Sequence, residues 1–167
     1  MLAHLDVLLA QRPPIQAQLV KLAAWFHDVV YTLGPPRQDY SDEQASADFA
    51  RRTMWVLGAP ADHRHEVSRL VLSTRDHDPD PADISASALS DADLAILGAP
   101  WPAYTRYASN IRTEYSWVSE ADYRSGRIGV LEGILAKDTV YKLPLTVTLY
   151  ESTARANVAR EIAELRI

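Results

Sequence analysis

The chain has 167 residues, 47 % of them hydrophobic, with 17 Lys and Arg against 22 Asp and Glu and a formal charge of −5. That length and apolar content suit one domain with a real core and exclude a disordered chain. The acidic balance excludes a general binder of nucleic-acid polymers, which needs a basic face.

There is no cysteine, hence no disulfide, thiolate metal site or thiol nucleophile, as suits a cytoplasmic protein. No apolar run reaches the roughly 18 residues of a membrane helix, and no signal peptide is expected at the start. Leu2 to Gln11 reads as a short apolar helix, broken by Pro13-Pro14. The next helix places Ile15, Leu19, Leu22 and Phe26 at helical spacing. Val20, Ala23, Ala24 and Val30 fill its other side, so it is expected to be central. The Gly and Pro of "GPPRQDY", 34–40, predict a loop. Ser41 then opens a third helix, with Gln44 placed as in a capping box, and Gly58 marks its end.

A fourth helix is expected from about Ala61 to His77, with Val67, Leu70, Val71 and Thr74 on one face, and "DPDPAD", 78–83, as a break. The fifth, 87–98, ends in Gly98, placed as a C-cap. "APWP" separates it from a sixth helix striped by Tyr104, Tyr107, Ile111, Tyr115 and Val118. Ser119 and Asp122 mark the start of a seventh, weakened by the glycines of "GRIGVLEGIL". After a connector at 141–146, a last helix runs to about Arg166. β-branched pieces such as "TVTLY" are candidates for extended structure, but no alternating partner suggests a sheet. The expectation is a single all-α domain, a bundle of seven or eight helices.

The chemistry starts at "AAWFHDVVY", 23–31, where His27 and Asp28 stand side by side near the end of an apolar helix. A bare carboxylate in a dry core is costly unless paired or bound to a cation. The same argument applies to "SDADLAILG", 90–98. Asp91 and Asp93 point about 200° apart on a helix, so only one faces a given site. Leu89, Ile96 and Leu97 put Asp93 on the buried stripe and Asp91 off it. His4, flanked by Leu2, Leu5, Leu8 and Leu9, completes a set of two imidazoles and two carboxylates. Such N/O donors suit one divalent ion of the Mn, Fe, Co, Ni or Zn group, and intrinsic affinity does not choose among them. For each of these side chains the competing reading is structural: a hydrogen-bonded core histidine, or a helix carboxylate facing solvent.

The order His, His-Asp, Asp on an all-α chain resembles the HD superfamily of metal-dependent phosphohydrolases. The segments "AAWFHDVVY", "DADLAILGAP", "YASNIRTEYSWV", "YRSGRIGVL" and "ESTARANVARE" look like one bacterial branch of it whose substrate is unassigned. The resemblance covers nearly the whole chain and implies an HD-like fold with metal ligands at His4, His27, Asp28 and Asp93. Members usually carry a further N-terminal helix and a Tyr-His upstream of the His matching His4. Here the chain starts three residues before His4, so a domain lacking that helix is expected. The branch's Asn-Glu element is Asp42-Glu43 here, which leaves Glu43 either a supporting role toward a ligand histidine or that of a first-turn carboxylate complementing the helix dipole.

His77 is a candidate phosphate contact or general acid, or a C-terminal helix histidine favouring the dipole. His63 and His65 are expected in solvent, and no extra histidine is spaced for a second ion. Arg112, Arg127 and Arg155 suit phosphate recognition but equally surface ion pairs. The expected function is hydrolysis of a phosphomonoester or small nucleotide by water activated on the ion, with Asp28 as proton acceptor. The alternative is a non-catalytic HD-like domain that binds a nucleotide or a partner protein.

Overall fold

The computed structural model describes residues 1–32, 34 and 40–167. Positions 35–39 of the expected loop lie outside them. Among the described residues there are eight α-helices and one short 3₁₀ helix, with no strand. The helices are α1 (Leu2–Leu8), α2 (Pro14–Phe26), α3 (Asp42–Val56), α4 (Ala61–Leu72), α5 (Ile84–Asp93), α6 (Trp101–Glu114), α7 (Glu120–Ala136) and α8 (Pro144–Leu165). The 3₁₀ helix is Leu94–Gly98. The chain forms two compact units, Met1–Asp93 and Leu94–Ile167. No described helix is long and apolar enough to cross a membrane.

In the first unit α2 touches α1, α3, α4 and α5, as its apolar pattern requires. It starts on Pro14, whose fixed φ suits a first helical position. Leu19, Val20, Ala23 and Ala24 are buried, whereas Trp25 is 70 % exposed. α3 is capped as expected, with the Ser41 hydroxyl accepting from the Gln44 N–H at 3.2 Å. It ends before Gly58, which adopts φ +76°, a left-handed conformation that glycine takes without a Cβ clash. α3 and α4 form a hairpin joined by residues 57–60.

Two expected helix ends move. α4 stops at Leu72, not at His77. Ser73 Oγ donates to the Leu70 carbonyl at 2.7 Å and Thr74 Oγ1 to that of Val71 at 2.8 Å. The Ser73 and Thr74 N–H groups bond the same two carbonyls, three residues back, so the last turn tightens and the helix ends. α5 begins at Ile84 because Asp83 caps it, its Oδ1 accepting from the Ala86 N–H at 3.0 Å.

The second unit packs α6, α7 and α8 with the 3₁₀ helix around Leu97, Tyr104, Leu131, Val140, Tyr141, Ala154, Val158 and Ile162. α7 runs unbroken through Gly126, Gly129 and Gly133, and Ser119 caps it by accepting from the Asp122 N–H at 3.2 Å. "TVTLY" is helical within α8. Thr146 and Thr148 hand their hydroxyls back to the carbonyls of Leu143 and Pro144, so the segment is helical despite its β-branched residues. Gly98 has no positive φ, so it is not the left-handed cap expected. Its lack of a side chain serves packing: a Cβ there would meet the Tyr150 Cβ at 2.6 Å.

Candidate functional site

His27 lies just past the last residue of α2, still with helical φ and ψ. Its Nδ1 is 2.9 Å from the Ala24 carbonyl oxygen, which only accepts, so Nδ1–H is the donor. That bond fixes the ring and turns Nε2 toward two carboxylates. Asp28 Oδ2 is 3.1 Å away and Asp93 Oδ1 3.4 Å. The second Asp93 oxygen, Oδ2, is 3.7 Å from His77 Nε2. Asp93 therefore stands between two imidazoles supplied by two separate earlier segments of the chain. Of the expected residues, His27, Asp28, Asp93 and His77 come together.

Burial disfavours charge on His27, but the bonds to Asp28 and Asp93 outweigh it and push the imidazole up to about 10. The same His27 bond, against partial burial, holds the Asp28 carboxyl below its usual range. Asp28 is thus a firmly ionised carboxylate whose side chain is 64 % exposed, well suited to a cation. To accept a proton it needs His27 to lose its own first.

The segment after Asp28 is clamped to α3. Ser46 Oγ accepts from the Val30 N–H at 3.0 Å and donates to the Val30 carbonyl at 3.2 Å. Asp42 accepts from both the N–H and the hydroxyl of Thr32 at 2.7 Å. Sequence reasoning missed these two positioning residues. Asp42 carried a visible signal as a first-turn carboxylate, and Ser46 carried none.

His77 is not a helix C-terminal residue: α4 ends five positions earlier, so the dipole reading lapses. It has φ +45°, uncommon for a residue with a Cβ, and that backbone turns its ring to Asp93. Glu43 reaches Arg75, with Oε2 3.9 Å from Nε, and Arg75 Nη2 donates to Ser41 Oγ at 2.6 Å. The contact ties the chain just before His77 to the start of α3. His4 sits half-buried on α1, which packs on α2 and α5. Burial, then the nearby N-terminal ammonium, lower its pKa and keep its ring neutral.

One expectation is corrected. Asp91, placed off the buried stripe by its angle from Asp93, is fully buried, while the Asp93 side chain is 26 % exposed. α5 is enclosed by α1, α2 and α4, so every residue from Ala86 to Ala92 is buried. Beyond Asp93 the chain tightens into a 3₁₀ helix, so Ile96 and Leu97 no longer share its stripe.

The arginines with a possible phosphate role are engaged elsewhere. Arg127 pairs with Glu161, Arg112 with Glu120, and Arg155 with Glu151 and the carbonyls of Leu135, Lys137 and Asp138. His65 is exposed and His63 half-exposed.

An imidazole and two carboxylates are donor types that a divalent ion accepts. Two ligand atoms each about 2.1 Å from a metal lie about 3.0 Å apart at a right angle and about 3.4 Å apart at the tetrahedral angle. An imidazole whose far nitrogen donates to a carbonyl is the usual support for a metal-bound histidine. As they stand, the side chains pair with one another: among the described residues no group of three or more His, Asp or Glu is arranged around a shared point for an ion. An ion would take the place of the His27 Nε2 proton. No family model, curated protein or solved structure matches this chain.

Proposed function

We propose that this protein is a metal-dependent phosphohydrolase acting on a phosphomonoester or small nucleotide. The observation that carries the reading is the convergence of His27, Asp28, Asp93 and His77, in the chain order for which the sequence resembles the HD superfamily. A bound divalent ion would supply Lewis acidity toward a phosphoryl oxygen and lower the pKa of a water. His27, Asp28 and Asp93 would hold the ion, with His4 as the fourth ligand that the resemblance implies. The Ala24 carbonyl keeps His27 Nε2 aimed at it. With the Nε2 proton displaced, Asp28 is the exposed carboxylate able to accept a proton. His77, beside Asp93, is placed to donate to a phosphate oxygen.

The test uses protein purified without chelator or metal-affinity resin. About one equivalent of a divalent transition ion is expected, lost in His27→Ala and Asp93→Asn. Chelator-sensitive phosphate release from a panel of nucleotides and sugar phosphates should follow, with oxygen-18 from solvent in the product. Absence of metal-dependent turnover in protein that holds its ion would refute the hydrolase reading. One observation favours the alternative, a non-catalytic HD-like domain that binds a nucleotide or partner protein: His27 Nε2 is already satisfied by two carboxylates and requires no ion.

A further inference from the structure

At the far end of α4 from His77, the α3–α4 hairpin forms a cavity of about 360 Å³ lined by Arg51, Arg52, Trp55, Arg64 and His65. None of the residues of the His27 cluster lines this cavity. Its charge is unusual for an acidic chain. Most other arginines meet a carboxylate, as Arg69 meets Glu66 and Asp83. Here Arg51 is tied to Asp48 at 3.1 Å, but Arg52 and Arg64 have no carboxylate partner among the described residues. Arg64 donates only to the Ala59 carbonyl, at 2.7 Å. Two further acids of α4 are close by in sequence, Asp62 in its first turn and Glu66, which is committed to Arg69.

Beside these guanidiniums stands the indole of Trp55, 66 % exposed. It shares a face of α3 with Arg51 and Arg52, at spacings of four and three. Planar guanidinium forks match phosphate oxygens, and an exposed indole offers a stacking surface to a flat ring. Volumes near the lower end of small-molecule sites, about 300 Å³ and up, suffice for such a ligand.

We infer that the α3–α4 cavity is a second site that binds a mononucleotide, its phosphates on Arg52 and Arg64 and its base on Trp55. The inference does not depend on the hydrolase reading. The full chain is titrated with ADP, and separately with inorganic pyrophosphate, in a chelator that keeps the His27 cluster free of metal. The readouts are calorimetry and the indole N–H resonances, with Trp55 assigned through Trp55→Leu.

ADP should shift the Trp55 resonance, and pyrophosphate should bind more weakly without stacking on it. Arg52→Gln should weaken both ligands about tenfold, the loss of one charge-assisted contact. Trp55→Leu should weaken ADP at least fivefold and leave pyrophosphate unchanged. Because Arg64 also holds the Ala59 carbonyl, Arg52→Gln is the variant that separates binding from folding. Asp93→Asn should leave ADP affinity here unchanged, so failure of this site and failure of the metal site are told apart. No response to millimolar ADP, or an undiminished response in Arg52→Gln, overturns the assignment. So does a Trp55 resonance that moves with protein concentration and not with ADP, which marks self-association.

Discussion

Glu161→Ala should be among the most damaging single changes in the second unit. Arg127 and Glu161 side chains are 8 % and 7 % exposed. Glu161 accepts from Arg127 Nε at 2.8 Å and Nη2 at 3.1 Å, and from the hydroxyl of fully buried Tyr104. Burial and the Glu161 bond both keep the Tyr104 phenol protonated. Truncation at 161 leaves a buried guanidinium without its counter-charge and a phenol without its acceptor. Removing one partner of a buried pair costs about 3–5 kcal/mol. For a chain of this size 1 kcal/mol moves the melting temperature by roughly 2–4 °C, so a fall of roughly 6–20 °C is expected. Thermal unfolding followed by circular dichroism measures it. The double variant Arg127→Met with Glu161→Leu should recover most of the loss, because two apolar groups leave no buried charge. A Glu161→Ala protein melting within about 2 °C of the parent would refute the reasoning. So would a double variant no more stable than the single one.

Three more predictions rest on separate contacts. Asp91→Ala should destabilise by about 1–3 kcal/mol, since it removes a fully buried polar group from α5 and orphans whatever it contacts; a neutral effect in chemical denaturation would restore the solvent-facing reading. Gly98→Ala should cost about 1–3 kcal/mol by overpacking against Tyr150, and an unchanged denaturation midpoint would show that α8 gives way freely. Asp83 has its carboxyl pKa lowered: burial opposes this, but the Ala86 N–H and Arg69 prevail. A depressed pKa means stability present above the unfolded value of 3.8 and lost as pH falls through the folded one. Asp83→Asn keeps a capping side chain, so it should cost about 1 kcal/mol or less at pH 7 for the half-exposed Arg69 pair. The gap in melting temperature between parent and variant should narrow as pH falls below 3.8, and a gap that is constant with pH would refute it.

The all-α class was legible because helical periodicity and caps are local. Ser41 and Gln44 sit three residues apart and meet in any helix that starts there, and Ser119 with Asp122 repeats the signal. His27-Asp28 and Asp93 stood out in the sequence, but the cost of a buried carboxylate was the wrong reason for Asp28, whose side chain is 64 % exposed because it lies past the end of α2. The phase of α5 was not legible. Whether Asp91 or Asp93 is buried depends on α1, α2 and α4 closing around the helix, and on the change to 3₁₀ at Leu94. Nor was the end of α4, where the backbone tightens to three-residue hydrogen bonds after Leu72. His77 reaches Asp93 only because a left-handed backbone, which no motif announces, turns it there. Arg52, Trp55 and Arg64 share one cavity because α3 packs against α4. Sequence spacing fixes which side chains share a helix face, but which faces meet is decided by burial among all the helices at once, and that exists only in the folded chain.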